Sequence, residues 1–220
     1  WKGHKDSESN ISWESPWGNG RPGWHLECSA MSTHYLGNHF DIHCGGVDNI
    51  FPHHENEIAQ SCAATGAEFV NYWLHNEHLL VEGQKMSKSE GNFYTLRQLL
   101  EMGHSPESLR YTLISTHYRQ KLNFTFDEIK SSQKCVNKLR ELKRRAKLVP
   151  VDSGGQNGEA ASAEMLAKFK EKLSDDLNIS GALGELFIWV NDMFCSLDNK
   201  EISSRGAEII LSTLNTVDSI

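Results

Sequence analysis

The sequence of 220 residues has no run of about 18 apolar residues and no Cys-x-x-Cys pair. The first absence argues against a membrane-spanning helix, and the second excludes a four-cysteine zinc site. The chain also lacks an initiator methionine, and the residues from Trp1 to Lys5 are typical of neither a signal peptide nor a transit helix. We therefore expect no membrane association and a chain taken from the interior of a longer protein.

The cysteines are few and irregularly spaced, at positions 28, 44, 62, 135 and 195. An odd number without a regular spacing argues against a disulfide framework and indicates a reducing compartment, so we expect a cytoplasmic protein. The net charge of −7 argues against indiscriminate binding of nucleic acid but allows a local basic face. An apolar content of 38% is enough for a packed core in one large domain or two small ones.

The first third of the chain alternates helical and extended patterns. After a polar arm over 1–22, the periodicity predicts a helix over 23–36, a strand over 39–43, a glycine turn over 44–48, a helix from Pro52 to 64, and a strand or connector over 69–74. This order is typical of an open parallel sheet. Ligands of such sheets bind outside the carboxyl ends of the strands, where the turn at Gly45 and Gly46 lies.

After the lysine-containing segment described below, the pattern becomes helical, and the last ~90 residues are predicted to be all-helical. Thr95 and Ser105-Pro106 carry N-terminal helix signals, and Asp127 is the expected cap of a long helix that ends near 147. The Gly-, Ser- and Ala-rich residues 149–163 predict a flexible linker. Three further helices are expected over 164–173, 179–197 and 204–217.

A lysine-containing segment follows the apolar run over 79–81 and a turn-like tetrapeptide. It reads Lys85-Met86-Ser87-Lys88-Ser89, and Gly91 closes it. Two ammonium groups on a short mobile loop can close over a polyphosphate and neutralise charge that develops on a leaving group. A solvated surface loop is the simpler interpretation of two lysines alone.

A mixed set of potential metal ligands is the second chemical signal. His53 and Glu57 are four residues apart on a predicted helix, so they share a face, and Cys28 lies on a neighbouring element. Thiolate, imidazole and carboxylate all bind zinc, and three such ligands with an open position are typical of a catalytic site. The alternative is a polar helix start beside a small buried cysteine.

Four ordered motifs carry a family resemblance. The pentapeptide at 85–89 resembles the second signature of class I aminoacyl-tRNA synthetases, and residues 20–31, 37–43 and 51–60 resemble segments of cysteinyl-tRNA synthetases. The resemblance covers 13–130 closely and 131–220 more loosely. It implies an α/β fold: the second half of a Rossmann-type parallel-sheet nucleotide-binding domain, followed by an α-helical bundle. The expected organisation is an arm (1–22), the half-domain with the zinc ligands and the loop (23–92), a connecting helical subdomain (93–128) and the bundle (129–220), with the linker at 149–163.

The resemblance also implies roles for individual residues. One Zn²⁺ per chain would be held by Cys28, His53 and Glu57, and Lys85 and Lys88 would be catalytic. ATP, with Mg²⁺, would be bound by the loop (Lys85, Met86, Ser87, Lys88 and Ser89) together with Asp48 and His43. Substrate cysteine would contact Trp24, Cys28, His43 and Asp48, although Asp48 could serve either the ribose or the substrate ammonium. His25 and His54 are expected to be structural.

The implied activity is ATP-dependent activation of cysteine and its transfer to tRNA(Cys). The family's fourth zinc ligand, a cysteine near the N-terminus, and its His-x-Gly-His signature are both absent from this sequence. We therefore expect the N-terminal half of the catalytic domain to be a missing partner. Two alternatives remain: a cysteine:glucosaminyl-inositol ligase of mycothiol synthesis, and a non-catalytic tRNA-binding remnant. A basic run over 138–147 is either a solvated helix face or a phosphate-contacting one.

Overall fold

The computed structural model describes residues 1–5, 11–151 and 153–219. Residues 6–10 of the predicted arm and residue 152 of the predicted linker lie outside this description. The chain divides into two units, Trp1–His78 and Leu79–Ile220, and each is described by itself. The predicted domain boundaries stay a prediction.

The first unit contains a βαβ arrangement preceded by a pair of very short antiparallel strands. Its elements are β1 (Lys2–Gly3), β2 (Gly20–Arg21), α1 (Trp24–Leu36), β3 (Phe40–Gly46), a 3-10 turn (Val47–Asn49), one π-helical turn (Ile50–His54), α2 (Glu55–Thr65) and β4 (Val70–Asn76). Strands β1 and β2 pair antiparallel. Strands β3 and β4 are parallel, with Phe40 opposite Val70 and Gly46 opposite Asn76. Parallel neighbours need a crossover, which α2 supplies, as the alternating pattern predicts.

The predicted glycine turn after β3 differs from the observed structure. Residues Cys44, Gly45 and Gly46 continue the strand, and the chain turns only at Val47–Asn49. Gly45 is needed there for a packing reason, since a β-carbon at this position would lie 2.6 Å from Cε1 of His54. The prediction treated these glycines as turn formers, whereas Gly45 leaves room for an imidazole ring.

The helix expected to begin at Pro52 begins later. Phe51 has an extended backbone (φ −134°, ψ 131°) inside the π-helical turn, and the regular helix α2 starts at Glu55. It ends where Gly66 takes the left-handed conformation (φ 72°) and donates its N–H to the carbonyl of Cys62. Glycine is favoured at such a helix end because it has no β-carbon to clash.

The interior of the first unit is largely polar. Among its described residues, Phe69 and Val70 are the buried apolar side chains, whereas His53, His54 and Glu57 are buried ionisable ones. Burial of ionisable groups is unfavourable unless they have partners. The first unit is therefore organised around a polar site more than around an apolar core.

The second unit combines a small sheet with long helices. Its elements are β5 (Leu79–Val81), β6 (Gln84–Lys85), α3 (Leu96–Glu101), α4 (Pro106–Ile114), β7 (Leu122–Phe124), α5 (Phe126–Ala146), α6 (Glu159–Ser174), α7 (Ile179–Asp198) and α8 (Ser204–Asp218). The strand order is β6-β5-β7, in which β5 pairs antiparallel with β6 and parallel with β7. We name residues 79–124 the loop domain and helices α5–α8 the helical bundle.

Helix α5 is shared by two apolar clusters. The smaller cluster lies in the loop domain and comprises Val81, Leu99, Leu109, Phe124 and Ile129, the last of these from α5. The larger cluster lies in the helical bundle and includes Leu142 and Ala146 from the other end of α5. One helix of 21 residues thus contributes to both cores, so the loop domain and the bundle form one compact unit.

Two of the three helix caps predicted for the second unit are present in the structure. Thr95 caps α3 through a complete capping box with Gln98, and Ser105 caps α4 with Pro106 following it, both as predicted. The predicted cap Asp127 is wrong. Thr125 caps α5 by accepting the N–H of Glu128 at 3.0 Å, because Thr125 and Glu128 stand at the capping-box spacing and Asp127 already lies in the first turn.

The predicted linker is shorter and more ordered than expected. Helix α6 begins at Glu159, inside the segment predicted to be flexible. Before it, Gln156 donates its N–H to the carbonyl of Glu201 at 2.7 Å and accepts the N–H of Ser203 at 3.0 Å. Backbone pairing with the α7–α8 connection therefore fixes this part of the segment. In the parts of the chain that the structure describes, no helix has the length and apolar character of a transmembrane segment.

Candidate functional site

The three predicted zinc ligands converge in the first unit. The Cys28 thiol comes from α1, the His53 imidazole from the π-helical turn and the Glu57 carboxylate from α2, and their ligand atoms all lie within 4.8 Å of one another. His53 and Glu57 are buried, and Cys28 is half-buried. We name these three residues the metal set.

The metal set passes a test for a cation. Oε1 of Glu57 is buried and accepts no hydrogen bond within the described residues, although Nε2 of His53 lies only 2.6 Å away. A buried carboxylate oxygen this close to a ring nitrogen, with a thiol beside them, is the kind of donor set that one cation would hold together. Sulfur, nitrogen and oxygen donors together suit Zn²⁺, which accepts all three.

Burial favours the neutral forms of two residues of the metal set. Burial raises the pKa of the Cys28 thiol, and the charges of Glu57 and Glu27 raise it further. Burial also lowers the pKa of His53; the charge of Glu57 and its contact with the ring oppose this shift, whereas His25 and His43 add to it. The shift holds His53 in the neutral form that binds metal, whereas Cys28 is held as a thiol that must lose its proton when it binds one.

The other oxygen of Glu57 is held by a predicted substrate residue. Nε2 of His43, on β3, lies 2.7 Å from Oε2 of Glu57, so one carboxylate oxygen is bound from the strand while Oε1 stays with the metal set. The His43 ring stacks on Trp73 at 4.7 Å between ring centroids. Partners of this kind orient a ligand and fix which of its atoms faces the metal.

Trp24 and His25 support the His53 ring from α1. Trp24 stacks on His53 with ring centroids 3.9 Å apart, and its own side chain is 54% exposed. Nδ1 of His25 lies 2.6 Å from Nδ1 of His53, which leaves Nε2 of His53 on the side of Glu57. Trp24 therefore borders the metal set, as the wall of a pocket would.

Sequence reasoning assigned His25 and His54 no role at the site, and the structure places both beside it. Nδ1 of His54 lies 2.8 Å from Nε2 of His75, and burial, followed by the charges of His43, His75 and His53, lowers the pKa of His54 to about 4. A signal was present, because His39, His43, His53, His54 and His75 fall within 37 positions of one another. His39 lies apart and contacts the carbonyl of Glu68.

Asp48 stands in a different setting from the metal set. It is exposed in the 3-10 turn that follows β3, at the carboxyl end of the strand where a ligand is expected. In the described part of the chain its carboxylate has no hydrogen bond or ion pair with another side chain. Its side chain is thus available to a ligand.

The lysine loop, residues 85–92, lies in the second unit. Lys85 ends β6 and Lys88 lies beyond it; both are exposed, and neither makes an ion pair within the described residues. Lys88 Nζ lies 5.4 Å from the centroid of the Phe93 ring. Met86 packs against the smaller apolar cluster, so one side chain anchors the loop while two ammonium groups stay in solvent.

Asn92 braces the base of the lysine loop. Its Oδ1 accepts the N–H of Ser87 at 2.8 Å, and its Nδ2 donates to the carbonyl of Lys85 at 3.1 Å. Ser87 Oγ lies 2.6 Å from Oγ of Ser89 and accepts the N–H of that residue. The loop is therefore closed by one amide, which the sequence analysis did not single out.

Comparison with known proteins identifies the family. Residues 1–134 match the family model of the class I (C) tRNA synthetase catalytic domain. The chain belongs to this family. The matched region contains the metal set and the lysine loop, so both features lie in the catalytic-domain part of this synthetase family.

Curated relatives agree with the assignment over the whole chain. The chain is 51% identical over 223 residues to a cysteine–tRNA ligase of Brachyspira hyodysenteriae and 47% identical over 222 residues to one of Protochlamydia amoebophila. These alignments cover 100% of this chain but 47% and 46% of the relatives. The chain spans about half the length of the curated relatives it matches.

Solved class I synthetases share the fold. LeuRS of Agrobacterium radiobacter K84, in ternary complex with tRNA and LeuAMS, matches with a TM-score of 0.61 at 14% identity, over 79% of this chain and 25% of that one. Methionyl-tRNA synthetase of Mycobacterium tuberculosis, bound by methionyl-adenylate, matches with a TM-score of 0.58 at 20% identity, over 79% and 38%. The α/β class I synthetase fold expected from the sequence is confirmed.

The basic run on α5 of this synthetase chain is largely paired within the protein. Arg140 binds Glu107 at 2.6 Å, Arg144 binds Glu141 at 2.7 Å, and Arg145 binds Asp198. Lys143 donates to the neutral amide of Asn215 at 3.0 Å. The three arginine charges are thus already balanced by carboxylates, which favours a structural role for them.

Proposed function

We propose that this chain is the part of a cysteine–tRNA ligase that selects cysteine through a zinc ion and closes a lysine loop over ATP. The observation that carries the proposal is the convergence of the Cys28, His53 and Glu57 ligand atoms within 4.8 Å. Membership of the class I (C) synthetase family and the names of the curated relatives support it. The complete activity, the joining of cysteine to tRNA(Cys) with consumption of ATP, is proposed for a protein of the relatives' length.

Zinc would be held by Cys28, His53 and Glu57 and would supply a soft Lewis acid that binds the substrate thiolate. Cysteine and serine differ by one atom, and shape alone separates such analogues by only about 1–3 kcal/mol. A serine hydroxyl stays protonated and is a harder ligand than a thiolate. The metal set would thus give this chain a chemical basis for rejecting serine.

Trp24, His43 and Asp48 are proposed to line the cysteine and ATP site. The exposed part of the Trp24 ring, stacked on His53, would cover the substrate side chain. His43 would hold Glu57 in place through its 2.7 Å contact and border the substrate. Asp48, exposed at the carboxyl end of β3, would accept hydrogen bonds from the substrate ammonium or the ribose.

The lysine loop is proposed to bind the polyphosphate of ATP with Mg²⁺. Lys85 and Lys88 would neutralise the charge that develops as pyrophosphate leaves. Ser87 and Ser89 would offer hydroxyls to the phosphates, and Met86 would anchor the loop through its contact with the apolar cluster. The absence of ion pairs at the two lysines, within the described residues, leaves both charges available to a ligand.

The proposal also extends to the cell compartment. All five cysteines have free thiols, which suits the reducing cytoplasm expected from the sequence. A free and half-buried Cys28 is also the condition for metal binding, because a cysteine in a disulfide offers no thiolate.

The test is cysteine-dependent exchange of labelled pyrophosphate into ATP, followed by charging of tRNA(Cys). It is run with the 220-residue chain and with a protein of the relatives' full length, and serine replaces cysteine as the matched control. We expect exchange and charging with cysteine only, in the longer protein, and much slower exchange by the chain itself because it spans half of the relatives' length. Exchange without charging of tRNA, together with ligation of cysteine to glucosaminyl-inositol, would favour the mycothiol ligase. Binding of tRNA with no exchange at all would favour the non-catalytic remnant.

A further inference from the structure

The junction between α6 and α7 has an unusual backbone. Asp176 and Leu177 both take positive φ, 52° and 55°, although neither is glycine. Side chains with a β-carbon rarely adopt this left-handed conformation, and two in succession persist only when surrounding contacts hold them. The junction ends where Asn178 caps α7 by accepting the N–H of Gly181 at 2.9 Å.

Donors from another part of the second unit hold this junction. Tyr118 donates its hydroxyl to Oδ1 of Asp176 at 2.5 Å, and Arg119 donates Nε to Oδ2 at 2.5 Å and Nη2 to Oδ1 at 3.2 Å. Nε2 of His117 lies 3.9 Å from the same carboxylate. Both carboxylate oxygens are thus occupied by the turn between α4 and β7, in the two-pronged geometry that makes arginine pairs directional. We name Asp176 with Tyr118 and Arg119 the clasp.

The clasp connects the loop domain to the helical bundle through residues that lie outside α5. Helix α5 contributes to both apolar clusters, its Arg140 binds Glu107 of α4 at 2.6 Å, and the Tyr111 ring on α4 meets the Phe187 ring on α7 at 6.4 Å between centroids. The clasp joins the α4–β7 turn to the α6–α7 junction, and Ser180 Oγ adds a bond to the carbonyl of Ser115 at 2.8 Å. These bonds add a polar attachment at the α6–α7 junction to the packing around α5, and so further restrict the orientation of the bundle on the loop domain.

We propose that Asp176 is a positioning residue that fixes the helical bundle relative to the loop domain, and so sets the geometry in which a long RNA substrate reaches the lysine loop. The inference rests on the proposed tRNA ligase function. Cysteine and ATP are small, and none of the residues proposed to bind them lies in the helical bundle. A tRNA is long enough to contact both the bundle and the loop domain, so its productive position depends on their relative orientation.

The carboxylate could instead serve only its own turn, and one substitution separates the two roles. Asp176→Gly removes the acceptor but suits the left-handed backbone better than any other residue. If the carboxylate only stabilised the junction, glycine would be a tolerated replacement. If it holds two parts together, glycine relieves the backbone and still breaks the attachment. Asp175→Asn is the matched control, because this adjacent acid is exposed and its carboxylate has no hydrogen bond or ion pair in the described residues.

The first measurement is amide hydrogen exchange of the 220-residue chain, which needs no activity. We expect Asp176→Gly to speed exchange by roughly tenfold in residues 115–120, on the far side of the clasp, as well as in 175–180. Asp175→Asn should leave 115–120 unchanged. Faster exchange confined to 175–180 in the glycine variant would overturn the proposal, since the carboxylate would then act only on its own turn.

The second measurement is made on the protein of the relatives' full length. Asp176→Gly should lower kcat/KM for tRNA charging by roughly 10- to 100-fold, the loss expected from misplaced reactants, and should leave pyrophosphate exchange within about twofold. Arg119→Lys keeps the charge but loses the two-pronged contact, so it should give a smaller loss of charging. Normal charging by the glycine variant, or an equal loss of exchange and charging, would overturn the positioning role. If the unaltered protein charges no tRNA, the proposed function fails, and hydrogen exchange alone decides whether the clasp connects the two parts.

Discussion

His53 and Glu57 bring Nε2 and Oε1 to 2.6 Å from each other, and yet Oε1 accepts no hydrogen bond within the described residues. Their i, i+4 spacing places both side chains on one face, and burial removes water as an alternative partner. The pair therefore presents two donor atoms toward one point, beside the thiol of Cys28. This relationship is the basis of the metal prediction that follows.

The chain should bind one zinc ion through the metal set. We expect Cys28→Ser to weaken zinc binding by at least about 10–100-fold, since loss of a ligand costs no less than loss of a residue that supports one. Elemental analysis gives the stoichiometry, and competition with a coloured chelator gives the affinity. Cys195→Ser, an exposed cysteine on α7 outside the metal set, is the control and should retain full zinc. Equal zinc affinity in both variants would contradict the assignment.

Lys88 should act in the activation step. In the full-length protein, Lys88→Ala should slow pyrophosphate exchange by about 10²–10³-fold, the loss expected when a charged donor to the transition state is removed. Cysteine affinity should stay nearly constant, because Lys88 is not among the residues proposed to hold cysteine. Lys134→Ala removes another exposed lysine, from α5, and should leave pyrophosphate exchange normal. A large loss of cysteine binding with unchanged exchange would refute this role.

Asn92 should matter for both the stability and the activity of the loop. Asn92→Ala loses two hydrogen bonds, so the free energy of unfolding should fall by about 1–2 kcal/mol. Pyrophosphate exchange by the full-length protein should slow about tenfold. Asn92→Asp keeps the acceptor for the N–H of Ser87, so its stability and its rate of pyrophosphate exchange should fall between those of the native protein and of Asn92→Ala. Asn123→Ala is the control, because it removes one comparable bond, to the N–H of Gly83 at 2.7 Å, from the hairpin turn that precedes the loop. Asn123→Ala should lower the stability without slowing pyrophosphate exchange. Slower pyrophosphate exchange in Asn123→Ala than in Asn92→Ala would contradict the prediction.

The clasp should make stability depend on acid pH. Hydrogen bonds from Arg119 and Tyr118 lower the pKa of Asp176 from 3.8 to about 2, and His117 also faces the carboxylate. A carboxyl group with a depressed pKa stabilises the fold above its unfolded value, and this contribution is lost as pH falls through the folded value. The difference in unfolding free energy between the native chain and Asp176→Asn should therefore be full at pH 7 and vanish between about pH 4 and pH 2. Denaturant titrations at several pH values measure it, and a difference independent of pH would argue against an ionised acceptor.

The arrangement of the elements could be predicted where periodicity and local chemistry act together. Alternating helix and strand patterns gave the parallel βαβ unit, and capping residues such as Thr95 gave helix starts. Errors arose where tertiary packing decided. Gly45 is required within the strand because the His54 imidazole occupies the space that a β-carbon would take, and no local pattern contains that information. The linker was expected to be flexible from its composition, whereas pairing of Gln156 with Glu201 depends on a segment 45 positions away.

The candidate site was predictable in its donors but not in their supports. Cys28, His53 and Glu57 are of residue types whose chemistry is visible in sequence, and the structure brings them together. The histidine contacts are different, because His25 meets His53 only after α1 has packed beside the π-helical turn. Asn92 was overlooked for a similar reason, since its two bonds define the loop only once the loop has closed.

The ion pairs made by the arginines of α5 affect how any RNA binding through them would depend on salt concentration. A phosphate that bound Arg140, Arg144 or Arg145 would first displace the carboxylate of Glu107, Glu141 or Asp198. Each displaced carboxylate would then attract a cation from solution, and this uptake offsets the counterions that RNA releases when its phosphates are neutralised. Any RNA affinity gained through these arginines would therefore fall less steeply with ionic strength than the same number of unpaired cations would produce.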